Sequence, residues 1–288
     1  MIIAESIKEI RAFVAGAREA GREPVGVVPT MGALHEGHYS LIDAARRQCQ
    51  AVVVSLFVNP TQFGPSEDFR SYPRPIEADL AGCEAHGVDA VFHPPVEVMY
   101  PGGAATTVHV SRPAERLCGA SRPGHFDGVC TVVATLFHIV GAEAAYFGQK
   151  DYQQTVVVRR MVADLDMPVR IVVCPTVREP DGLAMSSRNA YLSGPERSQA
   201  VALVESLRLA GRLVEQGCRQ ASDVVAAMRE HLRRRVPAGR IDYVEIVDPE
   251  TLEGVETIDA PAVAAVAVRF GSARLIDNMR VDAPARSG

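Results

Sequence analysis

The sequence predicts an α/β protein: a Rossmann-like, doubly wound parallel sheet followed by a smaller α+β domain. Three observations carry this. Val25–Pro29 and Ala51–Val58 are short apolar runs without a polar face, as expected of strands covered on both sides. Segments of helical periodicity stand between such runs, and strand–helix–strand alternation is the mark of parallel pairing. The rhythm changes after Pro175–Val177, which places the boundary between domains 1–176 and 177–288.

The elements follow in order. His38–Cys49 reads as a helix with Leu41, Ile42, Ala44 and Ala45 on one side. A Pro- and Gly-rich loop runs from Asn59 to Pro75. Ile76–His86 reads as a helix and Val88–Phe92 as a strand. Val129–Val140 is apolar all round and fits a buried helix. Ala144–Phe147, Tyr152–Leu165 and Val169–Cys174 continue as strand, helix, strand. Beyond the boundary, Pro195–Glu215 and Ser222–Arg235 read as helices, and Ile241–Val247 and Ala262–Val268 as strands.

Size and composition bound the function. A chain of 288 residues, 47% apolar and 23% charged, can bury a core without staples. The net charge of −5 speaks against a broad nucleic-acid face. The six cysteines form no C-x-x-C pair and fit buried free thiols in a reducing compartment. Charges interrupt the N-terminal MIIAESIKEIRAF, so it does not read as a signal peptide. The longest apolar run falls short of the roughly 20 residues that span a bilayer. A cytoplasmic protein is expected, with neither membrane nor nucleic acid as partner.

The most informative segment is Pro29–His38, PTMGALHEGH, which leaves a strand and enters a helix. An open α/β sheet binds its ligand at such a turn, and a helix N-terminus offers N–H groups to phosphate. Gly32 and Gly37 permit close backbone approach. His35 and His38 stand one helical turn apart and can donate hydrogen bonds to phosphate as charge builds. A P-loop is excluded because His38 stands where its lysine belongs, and G-x-G-x-x-G is absent.

Other loops carry suitable groups. Asn59 and Gln62 in FVNPTQF are neutral amides suited to hydroxyls and carboxylates. In FGQKDYQQ, Lys150 supplies a point charge, Asp151 can orient it or a ribose, and Gln154 lies one turn further on. In MSSR, Ser186, Ser187 and Arg188 suit phosphates, or else a cap. Arg122 and His125 in SRPGHFDGV fit a phosphate-facing loop or a structural turn equally. Phe57, Phe63 and Val133 read as core. Asp79 reads first as a solvated helix-face carboxylate.

HEGH resembles the HIGH signature of the nucleotidyltransferase superfamily. PTMGALHEGH, FVNPTQF, YPR, SRPGHFDGV, FGQKDYQQ, DGLAMSSRNAYL and RLIDN together, in this order and over nearly the whole chain, resemble the pantothenate synthetase family. The resemblance implies ATP-dependent condensation of pantoate with β-alanine through a pantoyl adenylate, releasing AMP and pyrophosphate. It implies ATP contacts from Met31, Gly32, His35, His38, Gly148, Gln149, Lys150, Asp151, Val177, Met185, Ser186, Ser187 and Arg188. Of these, His35, His38, Lys150 and Arg188 would be catalytic, with His38 a candidate proton donor. Gln62 and Gln154 would hold pantoate and β-alanine, Mg²⁺ would accompany ATP with Asp79 as a candidate ligand, and the working form would be a homodimer. Gln149 departs from the usual Glu, which leaves a backbone contact as its natural role. Rival readings are another nucleotidyltransferase, a shortened aminoacyl-tRNA synthetase and a nucleotide-binding regulatory module.

Overall fold

The computed structural model describes residues 1–65 and 67–282. Strand β1 (Ile2–Ala4) and helix α1 (Ile7–Glu19) precede β2 (Val25–Thr30), α2 (Glu36–Gln48) and β3 (Ala51–Leu56). Next come α3 (Ile76–Ala85), β4 (Ala90–Phe92) and the single turns α4 (Val96–Met99) and α5 (Cys118–Ser121). The sheet is completed by α6 (His125–Val140), β5 (Ala144–Gly148), α7 (Tyr152–Asp164) and β6 (Arg170–Cys174). All six strands pair parallel, in the order β1-β4-β3-β2-β5-β6. The chain winds from β2 to one side and resumes at β5 on the other. The carboxyl ends of β2 and β5 therefore flank the crevice where the winding reverses.

Every residue of β3 is buried, as its unbroken apolar run requires. Leu41, Ile42, Ala44 and Ala45 of α2 cover one face of the sheet together with Cys83 of α3. Helices α1, α6 and α7 cover the other. Burial of most of α6, from Phe126 to Val140, matches its all-round apolar sequence.

A second unit follows: α8 (Gly194–Ala200), α9 (Ala202–Glu215), α10 (Ala221–Arg235), β7 (Gly239–Val247), β8 (Ala262–Phe270) and β9 (Ala273–Val281). The three strands form an antiparallel sheet, β7-β8-β9. Leu203, Leu207, Met228 and Leu232 of α9 and α10 pack on one face. On the other face Tyr243, Val247, Ala265 and Ala267 join the apolar cluster of α6 and α7. One core thus runs under both sheets.

The differences from expectation are local. The first two elements are absent from the sequence reading, although Ser6 and Glu9 form a capping box that announces α1. Helix α2 starts earlier than expected because His35 itself is the cap. Helix α6 starts at His125, after Gly124 at φ +78°. The expected helix over Pro195–Glu215 is two pieces, divided at Val201. Strand β9 escapes the alternation rule because buried Asp277 and Asn278 interrupt it. The cysteines are all free; five are buried and Cys218 is half-buried. No helix among the described residues is long and apolar enough to cross a membrane.

Gly128 sets how closely α6 approaches the turn after β3. A Cβ there would lie 2.4 Å from the Thr61 carbonyl oxygen and 2.9 Å from the Gln62 nitrogen. Alanine normally gains up to ~1 kcal/mol over glycine within a helix. Here the sign reverses: Gly128→Ala is expected to lose about 1–3 kcal/mol, the cost of overpacking, measured by chemical denaturation.

Candidate active site

The turn after β2 is built backbone first. Thr30 Oγ1 donates to Ser55 O at 2.8 Å and accepts from the Gly32 N–H at 3.2 Å. Gly32 has φ +79° and Ala33 φ +51°, a conformation that costs a non-glycine residue strain. Asp79 on α3 holds it: Oδ2 accepts from Ala33 N–H at 2.8 Å and Oδ1 from Leu34 N–H at 2.7 Å. Asp79 is 3% exposed, which corrects the expectation of a solvated helix face. Burial raises its pKa, and the two amide bonds work against that rise. Both oxygens already serve the turn, so its role here is to hold backbone.

The two histidines come next. His35 Nδ1 accepts from the Gly37 N–H at 3.1 Å, and His38 Nδ1 accepts from the His35 N–H at 3.3 Å. Their ring centroids are 4.2 Å apart. Each Nδ1 is an acceptor, so each neutral ring carries its proton on Nε2. Burial, then the Lys150 charge, pulls His35 down to about 4. Burial, then His35 and Lys150, pulls His38 down to about 3. In the free protein both are neutral hydrogen-bond donors, each offering one Nε2–H. A Cβ on Gly37 would meet the His35 ring at 2.8 Å, so glycine is required there.

Opposite stand the loops after β5 and β6. Lys150 Nζ lies 3.7 Å from Asp151. The carbonyls of Gln149 and Lys150 each accept from Asn278 Nδ2 on β9, at 2.9 Å. The adjacent Asp277 takes Arg178 by two bonds of 2.7 and 3.0 Å, fixing the root of the MSSR segment. The Met185 N–H donates to Val177 O at 3.0 Å. Ser186 caps a 3₁₀ turn, accepting from Arg188 N–H, and Ser187 Oγ donates to Ala33 O at 3.1 Å. The cap reading of MSSR is thus met by Ser186, and Ser187 ties the segment to the turn that carries the histidines. Arg188 binds Asp68 at 3.0 Å through Nε and through Nη2.

Gln62 is braced from several sides. Its Oε1 accepts from Asn59 Nδ2 at 2.9 Å, and its carbonyl accepts from His125 Nδ1 at 2.8 Å and Arg122 Nη2 at 3.1 Å. Asn59 Oδ1 accepts from Tyr100, which fixes the Asn59 amide and leaves Gln62 Nε2 as the donating edge. Arg122 in turn binds Glu67, which burial alone would raise but which Arg122 holds at about 2. SRPGHFDGV is thus a brace for Gln62.

These groups line a cleft with compartments of about 210 and 820 Å³ that share Gln62, Lys150, Asp151, Gln154, Ser186 and Arg188. The smaller also takes in Met31, His35, His38, Gly148, Val177, Met185 and Ser187, with Phe57 and Val133 as apolar wall. Phe63 lines the larger. The fold does not bring Gly32, Gln149 or Asp79 to these walls. Gly32 and Asp79 border a separate, largely apolar cavity behind the turn. Among the described residues no three His, Cys, Asp or Glu side chains converge as a metal-holding group. Sequence reasoning missed the functional positions of Asp68, Asn278 and Asp277, which no spacing rule relates to the histidines.

In the free protein the ring protons of His35 and His38 are expected to titrate below pH 5, against 6.5 for an unperturbed imidazole. The unfolded chain takes up protons first, so these groups remove stability as pH falls from about 6.5 towards 4. Histidine NMR titration checks the first statement and pH-dependent denaturation the second.

Similarity to known proteins extends over nearly the whole chain. The family model described as pantoate-beta-alanine ligase matches residues 2–280. The chain is 56% identical over 280 residues to the pantothenate synthetase of Thermotoga neapolitana, covering 96% of this chain and 99% of the relative. It is 55% identical over 286 residues to that of Acidobacterium capsulatum, covering 96% and 95%. The crystal structure of the Thermus thermophilus pantothenate synthetase superposes with a TM-score of 0.93 at 50% identity, covering 98% of this chain and 100% of that one. A Francisella tularensis pantoate-beta-alanine ligase, complexed with β,γ-ATP and β-alanine, superposes with a TM-score of 0.80 at 33% identity, covering 97% of each. Sequence and fold agree over nearly the full length, and the chain belongs to the pantoate-beta-alanine ligase family.

Proposed function

We propose that the chain joins pantoate to β-alanine at the expense of ATP, through a pantoyl adenylate, releasing pyrophosphate and then AMP. The observation that carries this is the convergence of two neutral imidazoles, Lys150, the MSSR loop and the amides of Gln62 and Gln154 on one compartment. The related ligase seen with β,γ-ATP and β-alanine supports both as ligands of this site.

Pantoate is already ionised at neutral pH, so its carboxylate attacks the α-phosphorus without a base. The bond from that phosphorus to pyrophosphate breaks, and charge grows on phosphate oxygens. His35 and His38 present Nε2–H groups whose orientation the backbone has already fixed, and Lys150 adds a full charge. Gln62 Nε2 suits a substrate oxygen, and Phe57 and Val133 offer wall to methyl groups. The neutral β-alanine amine then attacks the acyl carbon, the acyl carbon–oxygen bond to phosphate breaks, AMP departs, and the surplus amine proton passes to water. Mg²⁺ enters as part of the nucleotide substrate; such an ion keeps several waters and uses few protein oxygens. Asp79 has no free oxygen facing this compartment, so the reading does not need it as ligand.

The same reading keeps the division near residue 176, where the loop after β6 leads towards MSSR. It also keeps a cytoplasmic location, supported by the free thiols. Exposed Ile2, Ile3 and Val96 near the β1 edge offer apolar surface to a second copy, as a homodimer requires.

Pantoate alone should drive exchange of labelled pyrophosphate into ATP; a requirement for β-alanine, or release of ADP, would sink the adenylate route. His38→Ala and Lys150→Ala should each lower kcat by about 10²–10³, the scale for one preorganised donor. Lys150→Ala should melt like the parent, whereas His38→Ala also loses its bond to the His35 N–H at the start of α2 and should melt lower. Gln149 is not part of the cleft walls and its carbonyl is held by Asn278, so Gln149→Glu should shift the ATP KM by less than about tenfold, while Lys150→Glu abolishes turnover. Steady-state kinetics on both variants decides this.

A further inference from the structure

The segment between β3 and α3 places two successive carboxylates on two arginines of the cleft. Glu67 holds Arg122 and Asp68 holds Arg188. The Arg188–Asp68 pair is bidentate, both bonds 3.0 Å, and its side chains are only 25% and 12% exposed. The Arg188 guanidinium also lies over the Tyr72 ring, 5.8 Å from its centroid. A second tie joins the same two segments, since Tyr191 Oη donates to Ser71 O at 3.2 Å.

A guanidinium grips a carboxylate or a phosphate with the same fork of parallel N–H groups. The edge that Asp68 occupies is therefore one with which Arg188 would hold a phosphoryl group bidentately. Lys150 differs: its neighbour Asp151 stands 3.7 Å away and is about half exposed.

We propose that Asp68 is a positioning residue that acts as an internal counter-anion, competing with substrate and product phosphates for Arg188 and so setting the affinity of the site for phosphoryl groups. This rests on the proposed function of the cleft. Entry of the triphosphate exchanges the Asp68 carboxylate on Arg188 for phosphate oxygens. After adenylation, Asp68 reclaims Arg188 and helps pyrophosphate leave. No covalent bond changes in this exchange. A carboxylate that merely oriented Arg188 would have the opposite effect, since its removal would weaken phosphate binding. The sign of the change separates the two roles.

The test is calorimetric titration of the full chain with inorganic pyrophosphate and with ATP, alongside steady-state kinetics. Asp68→Asn should bind pyrophosphate about fivefold to tenfold tighter, since a competing anion is lost. Its KM for ATP and its kcat should fall together, because pyrophosphate leaves more slowly. In an Arg188→Ala background the same change should leave pyrophosphate affinity within about twofold. Asp68→Ser makes the same comparison if the asparagine variant melts early. Unchanged or weaker binding by a normally folded variant overturns the proposal, as does an equal gain without Arg188. A wild-type chain that binds neither ATP nor pyrophosphate overturns the functional reading and this proposal together; normal binding without an Asp68 effect overturns this proposal alone.

Discussion

Two side chains on the last strand hold the cleft together. Asp277 and Asn278 are buried in β9, 3% and 5% exposed, where an antiparallel strand would ordinarily carry apolar groups. Asn278 takes the carbonyls of the loop after β5, and Asp277 takes the arginine at the root of MSSR. Buried polar groups are costly unless bonded, so their positions are tightly specified. The two loops that must face the histidines are thereby referred to one rigid strand. Alignment of Lys150 with Ser186 and Arg188 follows from β9, which lies far from each of them in sequence.

The histidine side relies on backbone instead. A tautomer is usually set by an outer carboxylate or carbonyl that accepts the inner N–H. Here helix-start N–H groups donate to the inner nitrogens, so the rings spend orphan amides of the helix and turn their own protons outward. That arrangement suits neutral rings, and burial followed by neighbouring positive charge pulls both imidazoles down. It also explains the spacing in HEGH: the second histidine stands three residues on to receive the first one's amide, and of the two residues between them Gly37 is the one whose Cβ would meet the His35 ring.

Much of this was legible in the sequence because the informative signals were local. The continuous β-branched runs of β2 and β3, the all-round apolar α6 and the HEGH turn each announce themselves within a dozen residues. The supports of the site are not local. Asp79 looks like any carboxylate on a helix until α3 is packed against the turn it holds. Asp68 is one acid among several in a polar loop until Arg188 arrives from beyond the parallel sheet. Strand β9 hides because its two polar residues break the period of two by which strands are recognised. Gln149 is intermediate: its substitution for Glu is visible in the sequence, but its insignificance for the walls of the cleft appears only once Asn278 is seen to hold its carbonyl.

The apolar cluster shared by α6, α7 and the second sheet bears on how the molecule comes apart. Tyr243, Val247, Ala265 and Ala267 are buried against helices that belong to the parallel sheet. Separating the halves would expose both sides of that contact to water at once, at a cost that scales with the apolar area uncovered. That shared contact energetically couples opening of one half to the other. A ligand gripping only the loops of the parallel sheet therefore also protects α9 and α10 on the far side of the other from opening.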